Sequence, residues 1–352
     1  MDLARAMQAH GAEPGVVFLL EGVPLADRLD RFGIPHSALG LRRGRAVLRG
    51  PRRLARTVST RGPDAAILVD SGFLAAALRS GGYRAPVIGI EHGSLLQLHK
   101  LRPMKRMIRT VDRVSGKQAC SVVVAVSDYM KDRVTLLRPR RRVVCIPNGV
   151  DLQRFSPAEN EATPGAGSEI VIGCGSRLAE GKGVEDVIRS LSHPSLGRAR
   201  LRVAGDGPCR GALKSLARSL CVDARAEFLG PVLDMPSFWR STDVAVVPSN
   251  RLVESFGMVA IEAMACGKPV VASANGALPS IVADGETGRV FPPGDVAALT
   301  TAVTEYAEDP ARRAQHGSNG RRRCQEKFAI EHTASRYLEL CAELIRETSG
   351  AQ

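Results

Sequence analysis

The 352-residue chain reads as an α/β protein of two Rossmann-like domains, and three observations predict it. Its length exceeds what one ordinary core serves, because chains beyond roughly 250–300 residues divide into domains. Short β-rich runs alternate with amphipathic stretches, the order that builds parallel sheets covered by helices. A stretch rich in Pro, Ala and Gly, Ser156–Ser168, interrupts the alternation near the middle and reads as a linker.

The expected strands follow in order. In the first half they are Val16–Leu20, Ala65–Val69, Val87–Ile90, Val122–Val126 and Val143–Ile146. In the second half they are Ile170–Cys174, Leu201–Ala204, Glu227–Leu229, Val244–Val247 and Val270–Ser273. Each set of about five, spaced by helices, suits one Rossmann-like domain. Thr333–Thr348 is amphipathic and predicts a C-terminal helix. The division drawn from this is residues 1–152 for the first domain, 153–168 for the linker, 169–330 for the second domain and 331–352 for the last helix.

Hydrophobic content of 44% and charged content of 24% are those of a globular protein, which excludes a disordered chain. No apolar run approaches the roughly 18 residues that span a bilayer. Met1–His10 lacks the apolar core of a signal peptide. The eight cysteines are scattered without a C-x-x-C pair, which reads as buried thiols in a reducing cytoplasm. Charge is lopsided. Residues 1–150 hold 26 Lys and Arg against 11 Asp and Glu, a net of +15, so the whole excess of +13 belongs to that half. It concentrates in Arg42–Arg56, Lys100–Arg113 and Arg138–Arg142. Such a field attracts anionic membranes, nucleic acid or phosphorylated substrates; the alternative is an Arg-rich composition on a solvated surface.

The chemistry-bearing residues lie in the second half. Glu254-Ser-Phe-Gly-Met-Val-Ala-Ile-Glu262 follows the strand Val244–Val247. Gly257 lies near the start of a helix that Gly267 and Pro269 stop. A helix start presents unpaired N–H groups and suits phosphate, and glycine lets a ligand approach the backbone. Two carboxylates eight residues apart stand about 12 Å apart along a helix. That suits the two ends of an elongated ligand better than an acid/base pair at one bond. Two unrelated surface glutamates are the plain alternative.

Directly after the strand Ile170–Cys174 comes Gly175-Ser-Arg177-Leu-Ala-Glu-Gly-Lys182-Gly183. A glycine-bearing turn with two cations five residues apart can grip a diphosphate, Arg177 by a bidentate fork and Lys182 as a point charge. The dinucleotide fingerprint competes, but Leu178 stands where its third glycine belongs. Ala204-Gly-Asp-Gly-Pro208 is a turn signal after a strand and need be no more. Phe228-Leu-Gly230-Pro-Val232 ends another strand on the side of the sheet where open α/β folds bind ligands.

In series, these segments resemble the family 4 retaining glycosyltransferases. The match runs nearly unbroken from about Ser121 to Asp295. It takes in Ala125-Val-Ser127, Ile146-Pro-Asn-Gly-Val-Asp151, Ser176-Arg177 with Lys182-Gly183, and Gly205-Asp-Gly-Pro208. Phe228-Leu-Gly230, Ser241-Thr-Asp243-Val, Val247-Pro-Ser249 and Glu254 to Glu262 continue it. Ala263-Met-Ala-Cys-Gly267, Pro269-Val-Val-Ala-Ser273, Asp284-Gly-Glu-Thr-Gly288 and Pro292-Pro-Gly-Asp295 complete it.

The resemblance implies a GT-B fold, two Rossmann-like domains facing across a cleft, with a nucleotide-sugar donor on the second. It implies that Arg177 and Lys182 neutralise the donor diphosphate and that Glu254 contacts hydroxyls of the transferred sugar. Glu262 then holds the ribose, backbone amides around Gly257, Met258 and Val259 bind phosphate and sugar, and Val232 meets the base. Glu91-His92-Gly93 falls where the family carries a histidine facing the donor sugar or the acceptor. A polar loop histidine without a task is the alternative for His92.

No D-x-D triplet occurs anywhere in the chain, so the usual carboxylate clamp for a divalent metal is missing and no metal or other cofactor is expected. Two cations and a helix N-terminus can supply electrophilic assistance instead. The resemblance implies retention through an oxocarbenium-like state with no obligatory protein nucleophile, unlike a glycosidase with its two opposed carboxyl groups. It also implies a cell-envelope glycan or glycolipid acceptor, reached from the cytoplasmic face of a membrane.

The N-terminus departs from the family. Leu3–His10 reads as its first helix and Val16–Leu20 as its second strand, so the first strand and its glycine loop are expected to be missing. A catalytically impaired nucleotide-sugar-binding protein is therefore the rival function. A nucleic-acid binder is not expected, for want of a reading motif or aromatic platform. An NAD-dependent oxidoreductase is more distant still.

Overall fold

The structure, a computed structural model, describes residues 2–20, 26–41, 46–69, 72–93, 119–137, 139–158 and 169–350. The chain forms two compact units, Met1–Gly149 with Ile330–Gln352, and Val150–Ala329. The basic run 100–113, residues 42–45 and most of the linker, 159–168, lie outside the described residues.

In the first unit, α1 (Asp2–Ala9) precedes β1 (Val16–Leu20), which pairs in parallel with β2 (His36–Leu41) after α2 (Ala26–Arg31). Gly11, at φ 84°, ends α1 as a glycine can and other residues rarely do. After α3 (Ala46–Arg61) come β3 (Ala66–Val69), α4 (Gly72–Ser80), β4 (Val87–Glu91), β5 (Val122–Ala125), α5 (Asp128–Leu137) and β6 (Val143–Cys145). The strands β3 to β6 form a second parallel sheet in chain order. Among the described residues β1 pairs only with β2 and β3 only with β4, so this unit carries two sheets. Leu54, Ala55 and Val58 of α3 pack with Ala75 and Leu78 of α4 into a core that Val17 and Leu68 also touch. The strand His36–Leu41 was not among those expected.

The second unit is one six-stranded parallel sheet in the order β12-β11-β10-β7-β8-β9. Its strands are β7 (Val171–Gly175), β8 (Arg200–Ala204), β9 (Ala226–Gly230), β10 (Val244–Val247), β11 (Val270–Ser273) and β12 (Gly288–Phe291). They alternate with α6 (Val184–Leu191), α7 (Arg210–Ser219), α8 (Met235–Arg240), α9 (Met258–Ala265) and α10 (Leu278–Ile281), and α11 (Val296–Glu308) and α12 (Pro310–Lys327) follow. Every residue of β10 and β11 is buried, which explains the apolar runs Val244–Val247 and Val270–Ala272. The sheet grows to one side through β8 and β9 and to the other from β10, so the order in which strands are added reverses between β7 and β10. That is the switch point where open parallel sheets bind ligands.

The unit boundary at Gly149/Val150 precedes the expected linker. Arg321 of α12 holds residues beyond it by donating to the carbonyls of Leu152 and Phe155 at 3.0 and 2.5 Å, and to that of Ala265 at 2.7 Å. The last helix, α13 (Ile330–Ser349), groups with the first unit. Ile330 and Ala334 cluster with Ala6 of α1, and Glu343 and Glu347 pair with Arg142. Among the described residues no helix is long and apolar enough to cross a membrane.

All eight cysteines are free. Cys174, Cys266 and Cys324 are fully buried, and burial pushes each thiol up to about 12, which leaves almost no thiolate near neutrality. Cys221 is exposed. In a thiol-reagent titration of native protein, Cys221 is expected to react first, with these three protected until denaturant is added. Rapid labelling of Cys174 in native protein would contradict the packing described here.

Candidate active site

The loops at the exits of β7 and β10 meet at the switch point and carry most of the expected donor residues. The β7 exit is shaped by its neighbour. Ser176 N–H donates to the Ala204 carbonyl at 2.9 Å and Leu178 N–H to that of Asp206 at 3.0 Å. Gly205 and Gly207 permit this approach, since a Cβ at either would overlap the carbonyl of Ser176 or Leu178. The turn Gly205-Asp-Gly-Pro208 therefore has a task that its sequence did not reveal: it supports the cationic loop.

On that loop Arg177 is exposed, and its side chain has no hydrogen-bond or ion-pair partner among the described residues. Lys182 is held inward. Its Nζ lies 2.5 Å from Glu254 Oε1, with side-chain exposures of 21% and 16%. Ser249 Oγ donates to the same carboxylate oxygen at 2.5 Å. Two of the expected site residues are thus in direct contact across the switch point. The ammonium has three N–H donors, so two remain for another anion.

Glu254 does not lie on the helix with Glu262. It precedes the helix, in the loop after β10, while Glu262 sits half-buried on α9. The helical spacing expected for the two carboxylates is therefore corrected: the chain leaves helical geometry before Gly257. That residue caps α9 at φ 117° and ψ 54° with no side-chain hydrogen bond, so the amides of Met258 and Val259 open the helix without an intrahelical acceptor. A Cβ on Gly257 would come within 2.7 Å of Leu278 Cδ2. Met258 is 37% exposed, an apolar side chain at the mouth of this helix end. Val232, in the loop after β9, is half-buried beside the exposed Leu233.

The loop that carries Glu254 is fixed on two sides. The Gly181 carbonyl accepts from the amides of Asn250, Arg251 and Leu252 at 3.0, 3.2 and 3.1 Å. On the other side Ala277 N–H donates to the Glu254 carbonyl at 2.8 Å. Ser249 and the turn after β11 were not assigned roles from sequence; the dipeptides Pro248-Ser249 and Asn275-Gly276 were the available signals. His92 follows β4 in the other unit, half-buried. Among the described residues no group of three His, Cys, Asp or Glu is arranged to hold a metal ion.

An exposed guanidinium, a lysine shared with a carboxylate and a helix start without a side-chain cap follow β7 and β10 at the switch point of a parallel sheet, groups whose chemistry suits an anion. Residues 157–323 match the family described as glycosyl transferases group 1, and residues 1–154 match Glycosyltransferase Family 4. Glycogen synthase of Mycobacterium tuberculosis is 30% identical over 319 residues, 86% of this chain and 75% of that one. A GDP-mannose-dependent alpha-(1-6)-phosphatidylinositol monomannoside mannosyltransferase of Mycolicibacterium smegmatis is 35% identical over 254 residues, 67% of this chain and 66% of that one. A lipopolysaccharide core biosynthesis mannosyltransferase of Rhizobium leguminosarum is 33% identical over 201 residues, 54% and 56% of the two chains. The chain thus spans between about half and two thirds of these mannosyltransferases. Among solved structures, sucrose-phosphate synthase of Thermosynechococcus elongatus aligns over 98% of this chain and 92% of its own, with a TM-score of 0.79 at 22% identity. Anabaena HepE, solved with UDP and glucose, aligns over 97% and 95% with a TM-score of 0.80 at 21% identity. These likenesses establish the GT-B fold. The chain belongs to glycosyltransferase family 4, the glycosyl transferases of group 1.

Proposed function

We propose that the chain is a retaining hexosyltransferase that moves a sugar from a nucleoside diphosphate donor to a cell-envelope glycan or glycolipid. The observation that carries this reading is the Lys182–Glu254 pair at the switch point, on the same strand exit as Arg177, which has no side-chain partner among the described residues. Lys182 and Arg177 stabilise the charge that grows on the departing diphosphate as the transition state is approached. The amides of Met258 and Val259 add donors that need no reorganisation, Glu262 takes the ribose and Val232 the base. Glu254 accepts from hydroxyls of the transferred sugar, and His92 faces the sugar or the acceptor.

Mannose from GDP-mannose is the first donor to test, because several relatives are named as mannosyltransferases. A lipid-linked acceptor fits the same names and the net +15 of residues 1–150, which favours an anionic membrane surface.

The test is release of nucleoside diphosphate and formation of product from a panel of GDP- and UDP-sugars, with product configuration read by NMR. An α-linked product from an α-linked donor is the expected result, and inversion would refute retention. Because no D-x-D triplet is present, transfer is also expected to persist in excess EDTA. Abolition by EDTA with rescue by manganese or magnesium would assign the electrophilic role to a metal instead.

A further inference from the structure

We propose that Asn275, in the turn after β11, is a positioning residue that sets Glu254 for the donor sugar; the proposal rests on the reading of Glu254 as the sugar contact. Its Nδ2 donates to the carbonyls of Ser249 and Leu252 at 2.9 and 3.2 Å. Ser273 Oγ reinforces the first of these, donating to the Ser249 carbonyl at 2.7 Å. Ser249 in turn presents its hydroxyl to Glu254 Oε1 at 2.5 Å. One side-chain amide therefore joins the residue that holds the carboxylate to the residue two positions before it.

The surroundings leave this loop few alternatives. The amides of residues 250–252 converge on the Gly181 carbonyl from one side, while Asn275 takes the carbonyls of residues 249 and 252 from the other. Gly276, at φ 63°, brings the turn so close that a Cβ would overlap the Glu254 carbonyl oxygen. Ser249 is 2% exposed, so no water competes freely for its hydroxyl. Without the Asn275 amide, the Leu252 carbonyl loses this donor and the Ser249 carbonyl is left with Ser273, so the loop loosens and the carboxylate is no longer held at a fixed distance from Lys182. The diphosphate contacts of Arg177 and Lys182 do not depend on Asn275 directly. Its removal is thus expected to act on the sugar end of the donor and to spare the nucleotide end.

The experiment compares Asn275→Ala, Asn275→Asp and Ser249→Ala with wild type in the full chain. Affinities for GDP-mannose and GDP, and for UDP-glucose and UDP, are measured by calorimetry, and kcat and KM with the donor that wild type uses. Loss of two hydrogen bonds predicts roughly tenfold weaker binding of the sugar nucleotide in Asn275→Ala. Binding of the nucleoside diphosphate should change less than about twofold. Ser249→Ala should reproduce the selective loss by cutting the same chain one link later, which keeps the test valid if an Asn275 variant fails to fold. Asn275→Asp, which sets an acceptor against two carbonyls, should be no better than Ala. Equal weakening of both ligands, or an unchanged ratio in Asn275→Ala and Ser249→Ala, would overturn the role of Asn275 and leave the donor site standing. Absence of sugar-nucleotide binding by the wild type would overturn both.

Discussion

Replacing Arg177 and Lys182 together with alanine is expected to abolish measurable transfer and to weaken nucleoside diphosphate binding by far more than either change alone. Each cation offers a charge-assisted hydrogen bond to phosphate worth about 1.5–3 kcal/mol, roughly ten- to a hundredfold in affinity. Rate should fall further than affinity, because charge on the leaving group is greater in the transition state. The two single variants should differ in stability. Arg177 is exposed and unpartnered among the described residues, so Arg177→Ala should leave the thermal midpoint unchanged. Lys182→Ala leaves the half-buried Glu254 carboxylate with Ser249 as its one side-chain partner among the described residues, and should lower the midpoint. Calorimetric titration, turnover and thermal denaturation of the three variants check this. Wild-type affinity and turnover in the double variant would remove the diphosphate assignment.

A second large effect is expected from Gly183→Ala. Gly183 has φ 73°, and a Cβ there would overlap the Pro248 carbonyl oxygen, so backbone strain and a displaced neighbour act together. The left-handed backbone alone costs a non-glycine residue about 1–3 kcal/mol. The second unit should lose at least that much stability, and donor binding should fall as the β7 and β10 exits move apart. Gly211→Ala is the matched control. It lies in α7, nothing comes within 4 Å of its Cβ position, and its φ is not left-handed. Alanine is favoured in helices over glycine by about 1 kcal/mol, so that change should be neutral or stabilising. Equal thermal midpoints for the two variants would contradict the close approach at Pro248.

Much of this was legible in the sequence, for identifiable reasons. Runs such as Val244–Val247 and Val270–Ala272 are buried on both faces, so no polar residue blurs them. β2, His36-Ser-Ala-Leu-Gly-Leu41, mixes polar and small residues and escaped notice, as did β12, only four residues with Gly and Arg in it. Motif spacing singled out Arg177, Lys182 and Glu254 but not the contact of Lys182 with Glu254, which depends on the switch-point adjacency of β7 and β10. Asn275 was invisible for a related reason. Its partners lie more than twenty residues away and are backbone carbonyls, which carry no residue identity to recognise.

The grouping of α13 with the first unit bears on how the chain is born. A ribosome delivers residues 150–329 as one continuous stretch, so the second unit can complete its core while α13 has yet to emerge. The packing of α1 against α13 must wait. Ala6 of α1 cannot meet Ile330 and Ala334 until nearly the whole polypeptide has been made. Closing so long a loop is entropically costly and slow. Truncation by a premature stop before Ile330 would accordingly leave the second unit able to fold, with the first unit lacking its last helix.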